Sequence, residues 1–248
     1  MADYDNRVLR GTAADVGAFD AGLRAYLLRV YNYMLVGLVL TGATAWLTAN
    51  TAFGELFIQQ RVVNGQLAVG LTLLGMIALF APIGLVLLLS FRINKMSVSA
   101  AQTTFWIYAG LMGIGIAPVL LVYTGASVAE VFFITAATFG AMSLWGYTTQ
   151  RDLSGFGSFL FMGLIGIIIA SVVNMFIGSS MIQFMVSVAG VLIFTGLTAY
   201  DTQSIKLSYS ANMDGTAQGR GAIIGALRLY LDFINLFIML LQLLGNRR

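Results

Sequence analysis

The sequence predicts an all-α, polytopic membrane protein, and three observations carry that prediction. Of the 248 residues, 59% are hydrophobic and only 9% charged, against about 25% charged in an ordinary soluble domain. Mean hydropathy is +0.89. The apolar residues gather into seven runs, each close to the roughly 20 residues a helix needs to cross the hydrocarbon. Their apolarity is continuous, whereas barrel strands would be about ten residues long with period-two alternation.

Residues 1–22 come first and are polar, with Asp3, Asp5, Asp15 and Asp20 set against Arg7 and Arg10. They contain no apolar signal-peptide core, so they are expected to remain as a flexible tail. The transmembrane domain then occupies residues 23–248. Its runs are 26–49, 67–91, 98–123, 128–148, 156–177, 181–200 and 222–244. Pro82 and Pro118 fall within the second and third, a distortion that neighbouring helices tolerate. Glycine is abundant, 28 in all, as at Gly163 and Gly166 or Gly110, Gly113 and Gly115. Small residues let helices approach closely in lipid, so these are expected to be packing surfaces. The longest polar connection is expected at 202–221.

Basic residues set the orientation. Arg7, Arg10, Arg24, Arg29, Arg92, Lys95, Arg151, Lys206 and Arg220 fall on one side, with Arg228 just inside it. Arg61, Arg247 and Arg248 fall on the other. The N-terminus is therefore expected in the cytoplasm and the C-terminus on the far side.

The chain has neither Cys nor His, which removes disulfides, thiolate metal sites and the side chain best suited to titrating near neutrality. Proton sensing would fall to carboxylates. Two of them stand within apolar surroundings: Asp201 closes the sixth run and Asp232 lies in the seventh. An acid at membrane depth is costly and usually faces the bundle interior in a functional role. If the two meet, they would share a proton and titrate as a unit. Protonated, they would bridge the two helices; deprotonated, they would repel or hold a hard cation such as Ca²⁺. Arg228 and Asp232 stand at i, i+4, a spacing that offers a local ion pair. The bland alternative makes Asp201 an interfacial polar group and Asp232 a partner of Arg228 alone. Arg92 and Lys95, at the end of the second run, have stems long enough to reach a carboxylate on the sixth helix. The net charge of +3 gives no reason to expect nucleic acid as a partner.

Three stretches carry a family resemblance: 195–206, TGLTAYDTQSIK; 229–237, LYLDFINLF; and 146–154, GYTTQRDLS. With seven spans and short loops, they resemble the Bax inhibitor-1 family, also known as transmembrane Bax inhibitor motif proteins, in a bacterial form. The resemblance implies a central hydrophobic helix surrounded by the other six and a place in the bacterial inner membrane. It also implies a pH-sensitive Ca²⁺ leak, with Asp201 and Asp232 as the proton-sensing pair and a basic residue ending the second span as a latch. Here that latch is divided between Arg92 and Lys95.

The first functional reading is therefore a passive, proton-gated cation leak that needs no cofactor beyond transient Ca²⁺ on Asp201 and Asp232. The second is a regulatory membrane protein, without conduction, that binds a membrane-bound protease or a stress-response complex. An enzyme is not expected. An intramembrane aspartyl protease also uses two aspartates on adjacent spans, but residues 229–231 read Leu-Tyr-Leu where that class has Gly-x-Gly.

Overall fold

In the computed structural model, residues 2–63 and 66–248 are described, with side chains at 20–59 and 70–248. Seven helices follow in order: α1 (Ala2–Asn50), α2 (Leu73–Arg92), α3 (Val98–Val122), α4 (Gly125–Thr148), α5 (Ser154–Ile177), α6 (Ser180–Ser208) and α7 (Gly215–Leu244). Each contains a stretch long and apolar enough to cross a membrane. The helix of α1 is continuous through the polar segment that precedes its apolar span.

Short side chains start most of these helices. Thr72, Ser97, Thr124, Ser179 and Asp214 each accept a hydrogen bond from a first-turn backbone N–H. Such caps satisfy donors that have no partner within the helix, and no water is available in lipid to replace them. The turn from α5 to α6 closes on Gly178, whose φ of 69° lies in the left-handed region that glycine adopts without strain. Asn174 completes that turn by accepting from the Ser179 N–H at 2.9 Å.

The second apolar run does not begin a helix at residue 67. Residues Gln66–Leu71 form β2, paired antiparallel with β1 (Ile58–Val63) in a register running from Ile58 opposite Leu71 to Val63 opposite Gln66. The two residues between them read Asn-Gly in sequence, the pair favoured in two-residue hairpins. A short apolar run fits strand or helix equally well, and the hairpin signal decides between them here.

The other revision is at the end of the chain. α6 passes the end of its apolar run and continues to Ser208, while α7 begins at Gly215 rather than Ala222. The connection expected at 202–221 shrinks to six residues. Tertiary contacts hold both polar extensions in helical form. Lys206 Nζ donates to the carbonyl of Tyr147 at 2.8 Å, and Arg220 donates to the carbonyls of Met96 and Asn94 at 2.7 and 3.0 Å.

Helix α7 is the centre of the bundle. It packs against α1, α3, α4 and α6, and 67% of its span is buried, against 22% for α2 and 11% for α5. The outward faces of α2 and α5 carry large apolar side chains such as Phe80, Phe91, Phe159 and Phe176, as lipid-facing helices do. At mid-bundle Tyr230 meets Phe105 and Tyr108 edge-on, with ring centroids 5.8 and 5.5 Å away. The Tyr230 hydroxyl lies 2.6 Å from Thr41 Oγ1, which is within reach of the Ala109 carbonyl at 2.8 Å. Glycines make several helix crossings close. A Cβ at Gly146 would strike the Ala199 backbone, and one at Gly113 would strike α1 at Thr41 and Thr44; Gly166, by contrast, faces open space.

Candidate functional site: two carboxyl groups and an arginine between helices six and seven

The register of α6 against α7 fixes where the acids sit. Ser187 Oγ donates to Gln242 Oε1 at 2.7 Å, Gly190 faces Met239, and Gly225 faces Ile205. The helices run antiparallel, so this pairing brings Asp201 level with Arg228 and Leu229. Asp232 stands one turn farther along α7, on the same face as Arg228.

Asp201 is therefore flanked by both. Its Oδ1 lies 4.0 Å from Arg228 Nη1, and its side chain is 15% exposed against 50% for the arginine. The carboxyl groups of Asp201 and Asp232 face each other across the α6–α7 seam, close enough to share a hydrogen bond when one of them carries a proton. Asp232 is 4% exposed, and its Oδ2 has no hydrogen-bond donor among the described residues. The ion pair thus crosses between helices to Asp201, instead of running along α7 to Asp232 as the i, i+4 spacing suggested. Spacing gives only proximity on one face; the carboxylate nearest the guanidinium belongs to the neighbouring helix.

The residues after Asp201 point in other directions and hold it in place. Thr202 Oγ1 is 3.1 Å from Ser143 Oγ on α4, and Ser143 in turn bonds the Tyr31 hydroxyl on α1. Gln203 is buried and clips the α4–α5 connection: its Oε1 accepts from the Leu153 N–H at 2.9 Å and its Nε2 donates to the Arg151 carbonyl at 2.8 Å. Lys206 closes the end of α4 and stands over the Tyr147 ring at 4.9 Å. Successive helix positions step by about 100°, so one short stretch reaches α7, α4 and a loop in turn. Two of the three sequence stretches singled out above are tied together by these bonds.

Arg92 and Lys95 stand apart from the acids. Both are exposed at the end of α2 and in the turn after it, and neither has an ion-pair partner among the described residues. The cation facing Asp201 is Arg228.

Beside the acids a cleft of about 830 Å³ opens between α5, α6 and α7. Its wall is apolar apart from Asp201, Arg228, Asp232, Asn235, Ser158 and Ser171. Tyr200 packs over Gly157 at one edge. No group of three or more acidic side chains that could hold a metal exists among the described residues. Ca²⁺ takes six to eight oxygen ligands. Two carboxyl groups and the Asn235 amide supply too few for a resident ion.

The family model described as "Inhibitor of apoptosis-promoting Bax1" matches residues 23–248. The chain belongs to this family. Several relatives are similar along nearly the whole chain. The inner membrane protein YbhL of Escherichia coli K12 is 47% identical over 92% of this chain and 94% of its own. Protein RP147 of Rickettsia prowazekii is 45% identical, and a protein of Caulobacter vibrioides 43% identical, each over 100% of both chains. This Bax inhibitor family member is an integral membrane protein with seven helices able to span the bilayer. The family is one of membrane proteins and is not known for enzymes.

Proposed function

We propose that this protein is a pH-sensitive cation leak, with Ca²⁺ as the cation and with protonation of the Asp201–Asp232 pair as the gate. One observation carries the reading: two carboxyl groups on neighbouring helices share a contact beneath the surface, and one of them has a buried oxygen without a donor.

A proton held between the two carboxyl groups is a hydrogen bond across the α6–α7 seam. Without it, two like charges face each other at low dielectric, where neither separates cheaply from a counter-ion. The seam then parts, or a cation enters between the oxygens. A hard ion such as Ca²⁺ suits carboxylate ligands. Flux on this scheme is low while the pair holds its proton and rises with pH as the proton leaves. The bias of basic residues supports a cytoplasmic position for the ends of α2, α4 and α6, and the likeness to the inner membrane protein YbhL supports a bacterial inner membrane.

Proteoliposomes loaded with a Ca²⁺ indicator test this directly. The parent should admit Ca²⁺ faster as pH rises. Asp232→Asn keeps a neutral hydrogen-bonding group at all pH values, so its flux should stay low and lose its pH dependence; Asp201→Asn should also flatten the profile. Profiles of both variants superimposing on the parent would remove the acids from gating. A parent that conducts nothing at any pH would leave the regulatory reading in its place.

A further inference from the structure

A second cavity reaches Arg228 from one end of the bundle. It has a volume of about 330 Å³ and lies between the α2–α3 turn, the last turns of α6 and the first turns of α7. Its lining is more polar than that of the cleft and includes Asn94, Ser204, Ser208 and Arg220. Tyr26 forms its α1 side.

Both cavities follow one face of α7. Ala217, Gly221, Ile224 and Arg228 line the end cavity, and Arg228, Leu231, Asp232 and Asn235 line the lateral cleft. These positions recur every three or four residues, so they form one stripe along the helix. On α6 the same order holds: Ser204 and Ser208 belong to the end cavity, Leu197 and Asp201 to the cleft. Arg228 is the one α7 residue that borders both, and it reaches across to Asp201. The two spaces meet at Arg228, whose guanidinium faces the Asp201 carboxylate on the cleft side.

We infer that Arg228 is the access gate of the carboxyl pair: water and small cations arrive through the end cavity, and the bridge to Asp201 closes their way into the cleft. The inference rests on the reading of the carboxyl pair as the ion site and adds its route and its barrier. The bridge suits a gate. At 4.0 Å it is a single long contact rather than a bidentate clasp, and half of the arginine side chain is already exposed, so the guanidinium moves without first leaving a dry core. The groove wall beyond it is built of fixed helix, with Asn235 Nδ2 donating to its own helix at the Leu231 carbonyl.

The absence of native cysteine makes this measurable without background. Single cysteines replace Ser204 in the end cavity and Asn235 in the cleft. In lipid nanodiscs each is reacted with a cationic methanethiosulfonate that does not dissolve in lipid. The Ser204→Cys protein should react readily whether or not Arg228 is present. The Asn235→Cys protein should react at least tenfold more slowly, and Arg228→Ala should raise its rate at least tenfold. Arg228→Gln, uncharged and closer in shape, serves the same comparison if the alanine variant does not fold. An Asn235→Cys rate unchanged by loss of Arg228, or equal to that of Ser204→Cys in the parent, overturns the gate. Because the readout is thiol reactivity, it separates the two ideas. A rate that responds to Arg228 in a protein without Ca²⁺ flux keeps the gate and rejects the leak; flux without that response rejects the gate alone.

Discussion

A buried carboxyl group is tolerated only when its neighbours supply protons or positive charge, and the residues around Asp201 divide that work. Arg228 supplies charge from the exposed side and Asp232 shares the inner contact. Gln203 does something different: it holds the α4–α5 connection with one acceptor in a buried bond and one donor in a partly buried one. Removing such a side chain leaves a backbone N–H and a carbonyl without partners, at about 1–3 kcal/mol for each unsatisfied group. Gln203→Ala should therefore lower the Tm of the purified protein measurably, whereas Gln203→Glu, which keeps the acceptor for Leu153 and loses the donor to Arg151, should fall between. A Tm equal to the parent in both would show that the clip carries no stability. Sequence made the two aspartates visible because acids are rare in apolar runs. It also showed Arg228 on the face of Asp232. It did not show that the guanidinium turns to the other helix, since periodicity describes one helix and says nothing of the register between two. Gln203 left no signal, because a polar residue near the end of an apolar run reads as solvated until a loop is seen closing over it.

At the scale of elements, the apolar runs marked seven helices and their order, but not where the polar turns stop. Lipid requires hydrophobicity only within its own thickness, so helices held by tertiary contacts pass beyond it unseen, as α6 and α7 do. The hairpin was missed because its second strand merges into the apolar stretch that follows it, and the Asn-Gly pair between the two strands was the signal that could have separated them. The start of α5 is a third case. Its cap residue Leu153 has no side-chain acceptor, and Asp152 supplies one instead, accepting from the Ser154 N–H at 2.9 Å. Hydrogen bonds from the Ser154 hydroxyl and backbone favour the ionised acid and hold the Asp152 carboxyl below its ordinary pKa. A lowered folded-state pKa stabilises the fold at pH above the unfolded value, and that stabilisation is lost as pH falls through the folded value. The Tm gap between the parent and Asp152→Ala should accordingly narrow as pH is lowered from about 6 toward about 3. A gap constant over that range would show that the ionised carboxylate adds nothing to the cap.

For the molecule as a whole, the two ends of the bundle are chemically unequal, and this bears on which compartment the groove addresses. One end collects the α2–α3, α4–α5 and α6–α7 connections together with the start of the α1 span, since Tyr26 lines the end cavity beside Asn94 and Ser208 and Tyr31 bonds Ser143 there. It carries Arg24, Arg29, Arg92, Lys95, Arg151, Lys206 and Arg220. The other end has the α3–α4 and α5–α6 turns and the chain terminus, where the Arg248 N–H donates to the Val122 carbonyl at 2.9 Å. Basic residues in short loops are retained in the cytoplasm, so the first end, and with it the cavity leading to Arg228, should face inward. Two single-cysteine proteins decide this: Met213→Cys in the α6–α7 connection and Ala126→Cys at the start of α4, both treated in intact spheroplasts with a maleimide that does not cross membranes. Ala126→Cys should be labelled at once and Met213→Cys only after lysis; the opposite pattern would reverse the topology. An inward-facing cavity adds a consequence for gating. Protons that reach Asp201 through it come from the cytoplasm, so in oriented vesicles the flux should track pH on the loop side and ignore pH on the side of the chain terminus.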